Sequence, residues 1–190
     1  APLDDAALAR LVDAMLSDPK FDAQLEAFHK MWLRYDGLLI SDSTLAADML
    51  GESDALLRRA LSPGTPWTKL LDSDQSYLTP RLATHYGVTA PATTGWVTMP
   101  APRGGILSQG AFLSLSSTRG TETLPSRRGA MLARRVLCQT IRPPPKDVNI
   151  DNGVVVAPGS CKVQAYQAHR ARGGACTGCH VVLDGLGFGF

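Results

Sequence analysis

Two cysteines and a histidine stand together near the C-terminal end, as Cys176-Thr177-Gly178-Cys179-His180. Three chemistries use C-x-x-C-H. In the first, two thiols three positions apart on a tight turn add to the two vinyl groups of a haem, and the next residue becomes the proximal iron ligand. Thr177 and Gly178 are small enough to let a macrocycle approach. The second is half of a zinc site, which needs another Cys/His pair. His169 or Cys161 offers one, but at a spacing that fits no common finger. The third is a dithiol redox pair, which usually opens a helix after a strand in a βαβ unit, and no such pattern is present. Covalent haem c is therefore the leading expectation, with Cys176 and Cys179 as thioether residues and His180 on the iron.

The other two cysteines, Cys138 and Cys161, form an even pair. In an oxidising compartment they are expected to make a disulfide; the alternative is two buried free thiols. An electron-transfer haem usually has a second protein ligand, whereas a catalytic one keeps that position open. The candidates are His29, His85, His169 and the methionines. His169 lies seven residues before Cys176, close enough for a helix and a Gly-Gly turn to fold it back. Its alternative role is a surface residue or a propionate contact. Met99 follows a predicted short strand; its alternative is the core, as for Met131. His85 reads as structural, near a helix end, and His29 as exposed, opposite Phe28 and Trp32. Arg170 and Arg172 are the candidate partners of the haem propionates.

These residues need elements to carry them. "DDAALARLVDAMLSDP" puts Leu8, Leu11, Val12 and Met15 on one helical face, ended by Asp18-Pro19. "KFDAQLEAFHKMWLRYDG" repeats the pattern with Phe21, Leu25, Phe28, Trp32 and Tyr35. Shorter helices are predicted near 43–50 and 52–61. "TPRLATHYG" reads as a helix with Pro80 in its first turn and Gly87 as its stop. Residues 88–104 read as a loop with one short strand in "GWVTMP". "GILSQGAFLSLSS" reads as a helix despite its Ser and Gly. "LPSRRGAMLARRVLC" reads as a helix burying Met131, Leu132, Val136 and Leu137. "IRPPPKDVNIDNGVVVAPGS" is a long connection that touches a sheet edge at Val154–Val156. "CKVQAYQAHRARGG" is the last predicted helix, stopped by Gly173-Gly174. Beyond it, Val181, Val182, Leu186 and Phe188 are expected to keep water from the cofactor.

The chain has 190 residues, and 44% are apolar, enough to bury a core in one domain or two small ones. Net charge is +2. Residues 1–80 hold 7 Lys/Arg against 13 Asp/Glu, and residues 81–190 hold 12 against 4. The basic half suits an anionic cofactor or an acidic partner better than nucleic acid, because its arginines are scattered and no aromatic residues interleave with them. No run approaches the ~18 apolar residues of a membrane span. Nothing at Ala1 has the pattern of a signal peptide, as expected of an exported chain after cleavage or of an internal piece.

With "CTGCHVVLDGLGF" in view, the chain resembles the planctomycete-type cytochrome c-related proteins, large exported bacterial proteins built from several domains. "LSDPKFDAQLEAFHKMWL", "LLDSDQSYLTPRLATHYGV", "RGGILSQGAFLSLSS", "SRRGAMLARRVLC", "PPPKDVN" and "YQAHRARGGACTGCHVVLDGLGFGF" are similar to that family's segments in order. In the family, C-x-x-C-H is followed by Asp-Pro-x-Gly-Phe. Gly185 stands here in place of the proline, which implies a less fixed turn. Cys161 is an addition to the usual pattern and favours pairing with Cys138. The family continues past this point with an acidic residue and Phe-Asp, so the chain reads as a piece of a larger protein.

The expectation is a mainly α protein. A helical domain at 1–88 precedes a small cytochrome c-like part at 89–190 with long loops, bearing one covalent haem c. It would transfer single electrons in the periplasm or outside the cell, to a redox partner protein or other cytochrome domains, with no nucleic acid and no membrane span in this chain. A larger assembly is compatible with this. The alternatives are a haem enzyme of peroxidase or oxygenase type with an open distal site, and a zinc-stabilised binding module.

Overall fold

The computed structural model is mainly helical. It describes residues 4–38, 40–115, 117–118, 122–143, 146, 154–171 and 173–190, leaving aside the side chains of Ser117, Thr118, Glu122, Thr123, Ala175 and Cys176. Two compact units result. One is Ala1–Gly37 with Ala47–Gln109; the other is Leu38–Ala46 with Gly110–Phe190.

In the first unit, α1 (Asp5–Leu16) is capped by Asp4, whose carboxylate accepts the Ala7 amide at 2.7 Å. Its apolar stripe follows the expected spacing, yet Leu8, Leu11, Val12 and Met15 are all exposed. Asp18-Pro19 ends α1 and also starts α2 (Pro19–Leu33), with Asp18 as cap and Pro19 in the first turn, where its missing N–H costs nothing. The buried face of α2 carries His29 and Leu33, four residues apart, and Tyr35 follows them into the core. His29 was expected outside; it is 4% exposed, and Phe28 takes the outer position. The burial is chemically satisfied. His29 Nδ1 lies 2.8 Å from the Leu25 carbonyl, and Trp67 Nε1–H donates to His29 Nε2 at 3.1 Å.

A single helix, α3 (Ser43–Ala60), replaces the two predicted short ones, with Gly51 inside it. Asp42 caps it by accepting the Thr44 and Leu45 amides, both at 2.9 Å. A short α4 (Lys69–Asp72) leads to β1 (Gln75–Leu78), α5 (Pro80–Tyr86) and β2 (Gly95–Thr98). Strand β1 was not anticipated; it pairs antiparallel with β2, setting Tyr77 opposite Trp96. Helix α5 matches the expectation, with Pro80 in its first turn and Gly87 at φ 70° as its stop. Leu33, Leu56, Leu57, Leu70, Leu78, Leu82 and Ile106 form the core. Met99 joins them at 8% exposure. A buried carboxylate also lies inside: Glu52 accepts hydrogen bonds from Ser76 Oγ at 2.5 Å and Tyr86 OH at 2.6 Å.

The predicted helix over "GILSQGAFLSLSS" divides. Ile106–Ser108 is a 3-10 turn of the first unit, and α6 (Gly110–Ser114) opens the main stretch of the second. Strands β3 (Ser117–Thr118) and β4 (Glu122–Thr123) form a small antiparallel ladder. Then come α7 (Pro125–Arg135), α8 (Lys162–Arg170) and α9 (Ala175–Phe188). On α7, Leu132 is buried as expected, while Leu137 beyond its end is exposed. Val154–Val156 make no strand. Pro144 and Pro145 of the proline run lie outside the described residues.

Helix α9 was missed by the sequence reading, which ended the last helix at Gly173-Gly174. Those glycines do stop α8, both with positive φ, but the chain turns there and starts again. Gly185, expected in a turn, lies inside α9.

Helix α9 packs on α7 with backbone against backbone. A Cβ on Gly129 of α7 would overlap the Leu183 carbonyl, and one on Gly187 of α9 would overlap the Pro125 carbonyl. Arg128, buried beside this seam, donates from Nε to the Gly187 carbonyl at 2.8 Å. Burial lowers its pKa from the ordinary value, and the nearby Tyr166 opposes that shift.

Candidate functional site

The C-x-x-C-H residues occupy the first turns of α9. Cys179 is a half-exposed free thiol. The Cys176 side chain lies outside the described part. Gly173 (φ 78°) and Gly174 (φ 68°) let the chain reverse between α8 and α9. Thr177 Oγ1 then donates to the Arg170 carbonyl at 2.6 Å, tying the first turn of α9 to the end of α8.

That reversal brings His169 to His180. The rings meet edge to face, with centroids 4.7 Å apart. His169 is buried and His180 about a quarter exposed. The His180 ring also meets Asp184, four residues on. His180 Nδ1 lies 3.0 and 3.2 Å from its two carboxylate oxygens. A carboxylate only accepts, so Nδ1 carries the hydrogen in the neutral ring and Nε2 keeps the lone pair.

Asp184 is wholly buried and held from three helices. Ser126 Oγ of α7 donates to Oδ1 at 2.6 Å, and Arg170 of α8 reaches Oδ2 at 3.3 Å. Ser126 Oγ is also 3.4 Å from His180 Nδ1. A buried carboxylate is tolerated when it is paired and hydrogen-bonded, and here it is both.

The sequence reading named His169, Arg170, Cys179 and His180, and the structure gathers them. Arg170, expected at a propionate, binds Asp184. Arg172 lies outside the described residues. Met99 belongs to the other unit, at the end of β2, with its amide donating to the Asp74 carbonyl at 2.7 Å. His85 lies in the last turn of α5, near a helix end as expected, and is exposed. The expected Cys138–Cys161 disulfide is not formed. Both thiols are free and exposed, Cys138 just past α7 at φ 52° and Cys161 at the start of α8. Parity and compartment suggested that pair, but neither constrains where two Cβ atoms lie. Val181 and Val182 are also exposed.

Sequence reasoning missed Asp184 and Ser126. The i+4 spacing from His180 would have shown Asp184 once α9 was recognised. Ser126 is 54 residues from His180 and left no local signal.

Among the described residues no group of three His, Cys, Asp or Glu side chains is placed to hold a metal ion. No helix among them is long and apolar enough to cross a membrane.

Two protein-family models match the chain. Residues 3–88 match PSD4, described as a protein of unknown function (DUF1592). Residues 103–190 match PSCyt3, likewise described as a protein of unknown function (DUF1588). Both names are those of planctomycete cytochrome-related domains, so the chain is similar to that group in two successive segments. No curated protein and no solved structure matches it.

Proposed function

We propose that this chain is a c-type cytochrome module that binds one haem covalently and passes single electrons in an exported bacterial protein. One observation carries the reading. The C-x-x-C-H residues open a helix, and His180 has its Nδ1 engaged by Asp184, which leaves Nε2 as the ring nitrogen available to iron. Zinc binding through the same residues is less favoured, because it needs a second Cys/His pair, and His169 and Cys161 stand at a spacing that fits no common finger. The cytochrome-related names of both matching family models point the same way.

The donor set suits the group. Cys176 and Cys179 would hold the macrocycle through thioethers, and His180 would ligate the iron. The haem supplies a one-electron iron couple. The chain's own residues do the rest. Thr177 fixes the start of α9 to α8. Asp184 fixes the His180 ring. His169 packs against that ring. Partners are then a redox protein or further cytochrome domains, met outside the cytoplasm, where thioether attachment takes place.

Intact-mass spectrometry of denatured protein from a host competent in haem maturation tests this. Wild type should carry the mass of one haem. Cys176→Ala with Cys179→Ala should carry none. A double variant that kept the added mass would overturn the tether assignment.

A further inference from the structure

On the reading that His180 ligates a haem, we propose that Asp184 is its positioning residue and holds the haem at a low reduction potential, with Ser126 and Arg170 setting how much charge Asp184 delivers.

The observations are geometric. Asp184 has no exposed surface, and its carboxylate meets His180 Nδ1, Ser126 Oγ and Arg170 Nη1. These four residues come from α7, α8 and α9, which converge on one carboxyl group. A carboxylate that accepts the Nδ1–H of a metal-bound histidine fixes the ring and makes the ligating nitrogen more basic. A more basic axial ligand favours the ferric ion, whose charge is higher, so the potential falls. Ser126 shares Oδ1 with His180 and draws on the same charge. Its hydrogen bond at 2.6 Å is the shortest of the set. Arg170 draws on Oδ2. The two donors thus moderate the effect, and removing one should strengthen it.

Opposite signs follow. Asp184→Asn keeps an oxygen acceptor for Nδ1–H but removes the charge. It should shift the reduction equilibrium about tenfold towards ferrous iron, which is ~59 mV upward for one electron. Ser126→Ala leaves more charge on Oδ1 and should shift the equilibrium about threefold the other way. Simple loosening of the helix packing would move both variants in one direction, so the sign separates positioning from structure.

The experiment is a spectroelectrochemical titration of wild type, Asp184→Asn and Ser126→Ala, each first assayed for covalent haem. Shifts of opposite sign support the proposal. An Asp184→Asn potential within twofold of wild type in equilibrium constant overturns it, as do shifts of the same sign. If Asp184→Asn fails to fold, Ser126→Ala decides: an unchanged or raised potential overturns the proposal. A wild type without haem brings down the cytochrome reading, and this proposal with it. That result is distinct from a haem-loaded protein whose potential does not respond.

Discussion

The glycine seam between α7 and α9 allows a sharp test, because the same substitution should have opposite effects at two positions. Replacing an interior helix glycine by alanine normally stabilises by up to ~1 kcal/mol. At Gly185, a new Cβ meets nothing within 4 Å, so that gain should appear. At Gly129 the Cβ would overlap the Leu183 carbonyl, and Gly187 N also lies within 3.0 Å. The neighbour is backbone and cannot turn aside, so α7 and α9 must separate. Overpacking of this kind costs ~1–3 kcal/mol, and a backbone obstacle belongs at the upper end. Set against the propensity gain, Gly129→Ala should lose ~2 kcal/mol net. For a unit of this size that is a fall in Tm of roughly 8–16 °C. Gly185→Ala should instead gain about 4 °C. Thermal unfolding followed by circular dichroism reads both. A Gly129→Ala protein that melted at or above wild type would refute the close packing of α7 on α9, and with it the placement of Asp184 beside Ser126.

Three further outcomes are expected. Burial, followed by the hydrogen bond to Asp54 at 2.9 Å, pushes the Tyr35 phenol well above its ordinary pKa of 10.0. A pKa raised on folding gives stability that is present below the unfolded value and lost as pH rises past it. Denaturant midpoints should therefore fall above about pH 10, and Tyr35→Phe should flatten that decline; an unchanged alkaline slope in the variant would contradict it. Glu52→Ala leaves Ser76 and Tyr86 without their buried acceptor and should destabilise the first unit by ~3 kcal/mol, against ~1 kcal/mol for Tyr86→Phe, in urea unfolding; equal, negligible losses would count against the network. His169 packs on the His180 ring, on the proximal side, so His169→Ala should leave the spin state of the ferric absorption spectrum unchanged; a low-spin to high-spin change would contradict that placement.

The haem motif was legible because it is wholly local: five consecutive residues specify it. The Asp184 partnership was not, although it is only four residues further on. Gly178, Gly185 and Gly187 disguise α9, since glycine is a poor helix former. Packing on α7 overrides that weakness, and at Gly187 the packing requires the glycine. His29 shows a different limit. The spacing of α2 gave the helix correctly, but its buried side is centred on His29 and Leu33 and not on Phe28. In α1 the apolar stripe was readable, yet periodicity says which side is apolar and not what covers it. Strand β1 is four residues long, too short for alternation to show.

The central claim is covalent haem at Cys176 and Cys179, and an absorption spectrum tests it most directly. The protein should be purified from an exporting host with haem maturation, denatured in alkaline pyridine and reduced. A sharp α-band that stays with the polypeptide is the predicted result. A protein with no Soret band, from a host that matures other c-type cytochromes, would contradict it.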